Sequence, residues 1–405
     1  MEQEFKKNYF GFYLSAVMIV LAACSAVRPI AVPTQMKQPA TTTSAPAVNE
    51  SQKQLSAVPP QRLARLAKSV NITRWFWFPE GTSADYFKNY MIDADLKLIR
   101  DMGVLSVRLV ISPTFFYQPD KPAELNPAMI GYLDSAVDRL LAHDLAVVID
   151  MHDQDKDAWE HNQKYVDGFM TFWPTLASRY ADRDSDRVIF EMLNEPVFDQ
   201  AADRWAKIQA TWVERMRQVV PSHTLIVTGN EWGGISGLNK LSPLADKNLV
   251  YSFHFYDPMQ FTHQGANWAG PGLETLRDVP YPATPERCKP TLDKTTDAVR
   301  KSSLRIYCYS YITASKLKSK LAEAADWGTQ HDVPLWMGEF GVYCPNAPAQ
   351  DRAQWIQDVR TSVENLKIGW ALWGYDECFG MQRKLKNGVI ELDTRVVQAL
   401  GLNPP

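Results

Sequence analysis

The feature that most constrains how this chain folds is its alternation of short apolar runs with longer helical patterns. The runs are rich in β-branched and aromatic residues and apolar nearly throughout, as are parallel strands covered by helices. The runs are Val70–Phe78, Val104–Ile111, Leu145–His152, Arg187–Glu195, Thr224–Asn230, Leu249–Tyr256, Pro334–Gly341 and Ile368–Gly374. The helical patterns are Asp93–Met102, Pro127–His143, Lys164–Tyr180, Ala201–Val220, Thr313–Gln330 and Ala349–Asn365, with a weaker one at Gly237–Leu244.

This alternation predicts an α/β fold in which eight parallel strands and their helices close into a single (β/α)8 TIM barrel. A doubly wound sheet is the alternative, but no glycine-rich phosphate-binding loop follows the first run. Residues 262–311 are too long for a simple connection, so we expect extended loops at the carboxyl-terminal face of the barrel. A length of 405 residues with 45% hydrophobic residues suffices for one such domain.

The amino terminus predicts an exported protein. Lys6 and Lys7 precede the mostly apolar run Tyr9–Ala23, and this run ends at Cys24. Such a run is short for a helix that spans a bilayer, and it has the length of a signal-peptide core. We therefore expect residues 1–23 to be a signal peptide; an uncleaved signal anchor and a signal cut elsewhere are the alternatives.

The residues around Cys24 indicate how the exported protein is held. Leu21-Ala-Ala-Cys24 resembles the lipobox of bacterial lipoproteins, which implies that Cys24 becomes the lipidated first residue. Ser25, rather than Asp, follows it, which favours sorting to the outer membrane in such lipoproteins. Residues 24–60 are rich in Pro, Ala, Thr, Ser and Gln, so they predict a flexible tether to the (β/α)8 domain at 61–405.

The remaining cysteines predict disulfide bonds. Cys288, Cys308, Cys344 and Cys378 have the spacing of no metal site, and an exported protein favours disulfides. We favour Cys288–Cys308 and Cys344–Cys378, the second because its residues follow strands that should be neighbours. Free buried thiols are the alternative.

The charge of the chain narrows the class of partner. A formal net charge of −3 provides no basic field for nucleic acid, so we expect no nucleic-acid partner. The 13 tryptophans suit the apolar faces of sugar rings, but tryptophan also fills protein cores, so this count alone does not identify a ligand.

Polar residues at the carboxyl ends of the runs are the candidate site residues, because barrels of this kind build their active sites there. They are Arg108, His152, Asn194, Glu195, His254, Tyr256 and Glu339, together with Trp373 in the last run. Each has a structural explanation when taken alone, such as an ion pair or a core histidine. Their occurrence at the same end of one barrel favours a shared site.

Two glutamates in such a site point to cleavage of a glycosidic bond, in which one carboxylic acid protonates the departing oxygen and a second carboxylate supports the oxocarbenium-like centre. The fourth and seventh strands lie across a small barrel, so Glu195 and Glu339 can converge over its centre. At about 5 Å the second carboxylate attacks carbon directly and configuration is retained, whereas about 8 Å admits water and gives inversion.

Six motifs resemble glycoside hydrolase family 5, the cellulase family, in the order of that family. Phe190-Glu-Met-Leu-Asn-Glu-Pro196 resembles its fourth-strand motif, and Trp336-Met-Gly-Glu-Phe-Gly341 resembles its seventh-strand motif. The others are Asn71-Ile-Thr-Arg-Trp75, Ser106-Val-Arg-Leu109, Asp150-Met-His152 and Ser252-Phe-His-Phe-Tyr256. An isolated Asn-Glu-Pro would be a weak signal, but six motifs in sequence are specific.

The resemblance implies a role for each candidate residue. It implies that Glu195 is the acid/base, that Glu339 is the nucleophile, and that Asn194 binds the 2-hydroxyl of the sugar at the cleavage point. The resemblance also implies that Arg108 and Tyr256 hold Glu339 in its ionised orientation. It implies that His152 and His254 contact that sugar and that Trp373 forms the floor on which the sugar stacks. It implies no metal and no organic cofactor.

Two departures from the family pattern put the substrate in doubt. Asp153 follows His152 where many cellulases of the family carry His or Asn, and residues 262–311 exceed a minimal family barrel. Residues 261–268 resemble a stretch in several bacterial members, so we expect Trp268 to line the cleft, although a core role is an equal alternative. Trp77 and Trp232, just beyond strand ends, have the same two interpretations.

The implied function is that of a retaining β-glycoside hydrolase that cleaves a β-linked polysaccharide or oligosaccharide, with β-1,4-glucan as the first substrate. β-Mannan, β-1,3-glucan, an exopolysaccharide of the same cell, and transglycosylation stay open. A catalytically dead carbohydrate-binding lipoprotein is the non-enzyme alternative, and the presence of both glutamates argues against it. We expect a monomer that meets the membrane through its lipid anchor.

Overall fold

The computed structural model describes residues 57–199, 201–384 and 390–404. The predicted signal peptide, the predicted lipidation site Cys24 and the tether as far as residue 56 lie outside the described residues. In the part of the chain that the structure describes, no helix combines the length and apolarity needed to cross a membrane.

Eight parallel strands close into a barrel in chain order, and β1 pairs with β8 to complete it. They are β1 (Lys68–Phe76), β2 (Ser106–Ile111), β3 (Ala146–Met151), β4 (Val188–Glu191), β5 (Leu225–Thr228), β6 (Leu249–Phe255), β7 (Leu335–Phe340) and β8 (Gly369–Leu372). A short antiparallel pair, β9 (Gln382–Lys384) and β10 (Ile390–Leu392), follows them. The predicted TIM barrel is confirmed.

The helices surround the barrel and also occupy its loops. They are α1 (Pro60–Arg65), α2 (Ala84–Asn89), α3 (Asp93–Asp101), α4 (Pro127–Ala142), α5 (Lys156–His161), α6 (Gln163–Ser178), α7 (Ala202–Val219), α8 (Ile235–Lys240), α9 (Met259–Thr262), α10 (Pro285–Lys294), α11 (Ala298–Tyr309), α12 (Ala314–His331), α13 (Ala349–Asn365) and α14 (Thr394–Ala399). Short 3-10 turns occur at Pro113–Phe115 and Leu273–Thr275.

The strands are apolar on both faces because both faces are covered. Every residue of β2, β3 and β6 is buried, with one face against the surrounding helices and the other inside the barrel. One inward-facing cluster contains Val148, Ile189, Ile226, Val250 and Trp336 together with Leu66, which follows α1. The Trp336 indole donates a hydrogen bond to the Leu66 carbonyl at 3.1 Å, so the end of α1 closes the amino-terminal mouth of the barrel.

The segment predicted as a long loop, residues 262–311, contains helices α10 and α11, so that prediction was wrong in its secondary structure. A disulfide between Cys288 and Cys308 joins the two helices, as predicted. Its residues are buried and belong to the main hydrophobic core, so this insertion packs as part of the domain.

The second predicted disulfide, Cys344–Cys378, is not formed, and both residues are free thiols. The two residues are nevertheless neighbours, because the Cys344 backbone N–H donates to the Cys378 carbonyl at 2.8 Å. A hydrogen bond from the Cys344 thiol lowers the pKa of Cys378 to about 6. Cys378 is exposed, so the alternative of buried thiols does not describe it either.

Candidate active site

Glu195 lies in a turn that follows the fourth strand. The predicted run continued to Glu195, but β4 ends at Glu191. The Asn194 backbone N–H still donates to the Met151 carbonyl at 2.8 Å, and Glu195 then takes a left-handed φ of 45°. A residue other than glycine rarely adopts that conformation, and such strain is concentrated at functional sites.

Glu339 lies on the seventh strand, beside His254 of the sixth strand. The β6–β7 register shifts between Phe253 and His254, and after the shift His254 pairs with Glu339. Irregularities of this kind re-aim side chains next to active sites. The His254 Nδ1 atom therefore lies 3.0 Å from Glu195 Oε1 and 3.6 Å from Glu339 Oε2.

The carboxylates of the two glutamates lie close together. One carboxylate oxygen of Glu195, one of Glu339 and a His254 ring nitrogen all lie within 4.8 Å of one another. The two carboxyl groups differ in exposure, because the Glu195 side chain is 25% exposed and that of Glu339 is 4% exposed. Water can therefore reach Glu195 more readily than Glu339.

Glu339 receives donors on both of its oxygens. Arg108 Nη1 lies 2.7 Å from Oε1, and the Tyr256 hydroxyl donates to Oε2 at 2.9 Å. Burial, and then the negative charge of Glu339, raise the pKa of Tyr256 well above its usual value, so its hydroxyl stays a donor. These contacts hold the carboxylate in one orientation.

Arg108 is fully buried and contacts several polar side chains of the site. It donates to Glu191 through Nε at 2.7 Å and through Nη2 at 3.1 Å. Its Nη2 also lies 3.1 Å from Asp150 Oδ1 and 3.0 Å from Asn194 Oδ1. Its Nη1 lies 3.0 Å from Asn71 Oδ1. One guanidinium thereby contacts carboxylates from three strands.

Three further residues of the site, Asn71, Asp150 and Glu191, lie within the six motifs but have no role predicted from the sequence. Asn71 also donates to the Gly338 and Leu372 carbonyls, at 3.1 and 3.0 Å, and so ties β1 to the strands that carry the site. The signal in the sequence that points to Asp150 and Glu191 is a charged residue inside an otherwise apolar strand. Such a residue needs a buried partner.

The ionisation of the pair follows from its surroundings. Burial raises the pKa of Glu339, and His254 and Arg108 oppose that rise. Burial also raises the pKa of Glu195, and the positive charge of Lys156 opposes it most. Glu339 accepts two hydrogen bonds, one of them from a guanidinium, whereas among the described residues the Glu195 carboxylate has one side-chain hydrogen-bond partner, His254. The proton that the pair shares is therefore favoured on Glu195.

His152 and two tryptophans form one wall of the site. His152 Nε2 lies 2.6 Å from Asp150 Oδ2 and 4.0 Å from Glu339 Oε1. Its ring stacks on Trp373 with centroids 5.6 Å apart, and the Trp77 ring lies 4.6 Å away. Burial lowers the pKa of His152 well below its usual value, so the ring is neutral at neutral pH. Trp77 thus belongs to the site rather than to the core.

The other two tryptophans, Trp268 and Trp232, are linked to the glutamates through neighbouring residues. Trp268 is half-buried and packs edge-on against Tyr343 at 4.8 Å. Phe379 joins Tyr343 to Tyr256 through ring contacts of 5.3 and 5.9 Å, so Trp268 is separated from the glutamates by a chain of aromatic rings. Trp232 is 42% exposed, and its backbone N–H donates to the carbonyl of Pro196, the residue after Glu195.

Asp153, the departure from the family pattern, is occupied by its own loop. Its Oδ2 accepts hydrogen bonds from the Trp159 indole at 2.9 Å and from the Tyr165 hydroxyl. Its Oδ1 accepts from the Asp155 backbone. The side chain therefore shapes the segment that leads into α5 and α6, and it is not free to bind a substrate.

Glu195, His254 and Glu339 are the one group among the described residues whose donor atoms are close enough to hold a metal ion. Both oxygens of Glu339 are already engaged, and Arg108 supplies the positive charge that the buried carboxylates need. The arrangement therefore suits proton transfer and attack by a carboxylate better than coordination of a cation.

The comparisons with known proteins agree with this geometry. The family profile of the cellulase family (glycosyl hydrolase family 5) matches residues 71–378, which include every candidate site residue from Asn71 to Trp373. Endoglucanase 3 of Fibrobacter succinogenes is 28% identical over 346 residues, which cover 80% of this chain and 51% of that protein. Endoglucanase C of Acetivibrio thermocellus is 26% identical over 317 residues, which cover 76% of this chain and 90% of that protein.

Solved structures show the same fold. Endoglucanase Cel5A of Thermotoga maritima superposes with a TM-score of 0.68 at 25% identity, over 85% of this chain and all of that one. The cellulose synthase subunit Z of Clostridioides difficile superposes with a TM-score of 0.65 at 25% identity, over 82% of this chain and 98% of that one. With the family profile spanning the barrel and its site, the chain belongs to the cellulase family, glycosyl hydrolase family 5, and is a β-glycoside hydrolase.

Proposed function

We propose that this enzyme hydrolyses β-1,4-glucan with retention of configuration, with Glu195 as acid/base and Glu339 as nucleophile. The observation that carries the proposal is the approach of the two carboxylates to within 4.8 Å, each with different hydrogen-bond partners. Retaining glycosidases hold their carboxyl groups about 5 Å apart, whereas inverting ones leave room for a water molecule.

In the first step Glu339 attacks the anomeric carbon while Glu195 gives its proton to the departing glycosidic oxygen. Arg108 and Tyr256 hold Glu339 ionised and aimed, so little reorganisation accompanies the attack. The bond between the sugar and the leaving oxygen breaks as the bond to Glu339 forms. The product of this step is a covalent glycosyl-enzyme and a free leaving-group sugar.

In the second step Glu195, now ionised, removes a proton from water, and the resulting hydroxide displaces Glu339 from the sugar. The partial exposure of Glu195 suits this step, since it must meet water. The side-chain oxygen of Asn194 accepts a hydrogen bond from Arg108. The two N–H groups of the Asn194 side-chain amide are therefore left for the 2-hydroxyl of the sugar. Trp373, stacked on His152, is the floor for that sugar.

The relatives support β-1,4-glucan as the first substrate, because they include several endoglucanases. The similarity to a cellulose synthase subunit also supports processing of a polymer that the same cell exports. β-Mannan, β-1,3-glucan and transglycosylation are the competing activities.

A panel of soluble β-1,4-glucan, mixed-linkage glucan, β-1,3-glucan and β-mannan tests the substrate. The detergent-solubilised full chain should release reducing ends fastest from a β-1,4-glucan, and Glu339→Gln, as the matched control, should release none. Release from mannan alone would replace the glucan by mannan, and products longer than the substrate would indicate transglycosylation.

We also propose that the enzyme is exported and anchored to the outer membrane through lipid on Cys24. The sequence Leu21-Ala-Ala-Cys24 and the apolar run before it support this. Diacylation holds a protein on a bilayer stably, as a single chain does not.

Replacing Cys24 by Ala tests the anchor. The Cys24→Ala protein should appear in the soluble fraction or retain its signal peptide, because no thiol remains to carry the lipid. Fractionation of cells with an intact-mass measurement of the protein distinguishes these states, and Cys378→Ala is the matched control. Membrane attachment with an unchanged mature mass in Cys24→Ala would contradict the lipoprotein assignment.

A further inference from the structure

Lys156 is a charged residue beside Trp232, in the segment after β3, that neither the family motifs nor the mechanism above uses. It is the first residue of α5, and the Asp155 side chain caps that helix by accepting from the Ala158 N–H at 3.0 Å. Asp153 ties the same segment to Trp159 and Tyr165. The backbone that carries Lys156 is therefore fixed by its own loop.

The ammonium group of Lys156 is buried and has no hydrogen-bond acceptor among the described residues. It lies over the ring of Trp232, 2.8 Å from the centroid, and this contact covers it on one side. A buried ammonium without an acceptor costs free energy, so a structure that keeps one indicates a use for its charge. Burial lowers the pKa of Lys156 only to about 8, so the charged form predominates at neutral pH.

Trp232 contacts both the Lys156 ammonium and the residue that follows Glu195, the proposed acid/base glutamate. Its backbone N–H donates to the Pro196 carbonyl at 3.1 Å, and Pro196 directly follows Glu195. Trp232 itself has a left-handed φ of 61°, so its ring is held in an unusual position over Lys156. The two carboxylates whose charges act on Lys156 are those of Glu195 and Asp199.

Other charged groups also face Glu195. His254 and Glu339 lie beside it from β6 and β7, and Arg108 and His152 act from β2 and from the end of β3. Arg108 is already committed to three carboxylates, and both histidines are buried, which disfavours their charged forms. Among the described residues, Lys156 is therefore the cation in this set that no carboxylate binds by a hydrogen bond.

We propose that the Lys156 ammonium stabilises the carboxylate that Glu195 becomes when it protonates the leaving oxygen. Lys156 is then a positioning residue that acts through Glu195, and the proposal rests on the acid/base role proposed above. In the first step the charge makes Glu195 a stronger acid, which matters most when the leaving group is a sugar alkoxide. In the second step it keeps Glu195 ionised and ready to accept a proton from water.

The test compares Lys156→Met, which removes the charge at similar length, with Lys156→Arg, which keeps it. For Lys156→Met, kcat/KM on a β-1,4-glucan should fall about tenfold or more, and that on an aryl glycoside with an acidic phenol by much less. The basic limb of its pH profile should move up by about one unit, since removal of a cation raises the pKa of the acid. Lys156→Arg should restore most of both, and the exposed Lys164→Met is the matched control.

A second readout does not depend on activity. Carbon-13 NMR of labelled glutamate carboxyls, with the Glu195 signal assigned by its loss in Glu195→Gln, gives the pKa of Glu195 directly. The pKa of Glu195 should rise in Lys156→Met. It should fall in Asp199→Asn, because the Asp199 carboxylate then no longer competes with Glu195 for the charge of Lys156. An unchanged Glu195 pKa in Lys156→Met, or equal losses on both substrates, would overturn the proposal. If the wild type hydrolysed no glycoside, the proposed function would fail while the NMR titration still decided the role of Lys156.

Discussion

Glu339→Ala is expected to be inactive on both natural glucans and aryl glycosides, whereas Glu195→Ala should fail only on the natural ones. The nucleophile must attack whatever the leaving group is, while an acid is needed only when the leaving group is poor. For Glu195→Ala, kcat/KM, which reports the first step, should fall about 10²- to 10⁴-fold on β-1,4-glucan. On an aryl glycoside with an acidic phenol it should stay within about tenfold of wild type.

Azide separates the two roles further. In Glu195→Ala it should occupy the space of the missing side chain and restore turnover, with a β-glycosyl azide as product. In Glu339→Ala azide should at best give a product of inverted configuration. Activity on the aryl glycoside that survives in Glu339→Ala and is lost in Glu195→Ala would reverse the assignment. Full activity in both variants would place the reaction on other carboxylates.

Arg108→Met is expected to lose both activity and stability. The guanidinium is fully buried and contacts Glu191, Asp150 and Glu339, so its removal leaves carboxylates without their counter-ion. Breaking a buried ion pair by removing one partner costs about 3–5 kcal/mol. Loss of the donor to Glu339 should also lower kcat by about 10² to 10³, the range for removal of one preorganised donor.

Urea unfolding and steady-state kinetics on one preparation measure both effects of Arg108→Met. Arg183→Met is the matched control, because its pair with Asp138 is exposed and should contribute less than about 1 kcal/mol. Arg108→Lys should recover part of the stability and little of the activity, since one ammonium cannot reproduce the fork of contacts. An unfolding free energy in Arg108→Met equal to that of Arg183→Met would contradict the role of Arg108 as counter-ion of the site.

The barrel could be predicted because its strands are buried on both faces and therefore apolar nearly throughout. That pattern appears without knowledge of contacts, and the predicted strands agree with the observed ones to within a few residues. The largest difference is at β4, which ends at Glu191, four residues before the end of the predicted run. Glu195, the last residue of the predicted run, has a left-handed φ, and the apolar pattern carries no sign of that turn.

The partners of the site were harder to predict than its members. In a strand that is buried on both sides, alternation does not reveal which residues point into the barrel, so Asp150 and Glu191 could not be placed against Arg108. Lys156 belongs to a loop helix, and no period in the sequence relates it to Glu195. The sequence of the insertion at 262–311 predicts a loop because its prolines and glycines obscure the helices that the Cys288–Cys308 bond joins.

The central claim is that Glu339 forms a covalent bond to the sugar during turnover, and trapping of that intermediate tests it most directly. A cellobioside with fluorine in place of the 2-hydroxyl and a dinitrophenolate leaving group should glycosylate the nucleophile and stay attached to it. The fluorine slows both steps, but the good leaving group restores the rate of the first, so the covalent intermediate accumulates. Peptide mass spectrometry of the inactivated protein should find one fluorocellobiosyl group on the peptide that contains Trp336–Gly341, at Glu339. A label on a peptide without Glu339 would contradict the account, as would hydrolysis of this substrate to an inverted product without any label.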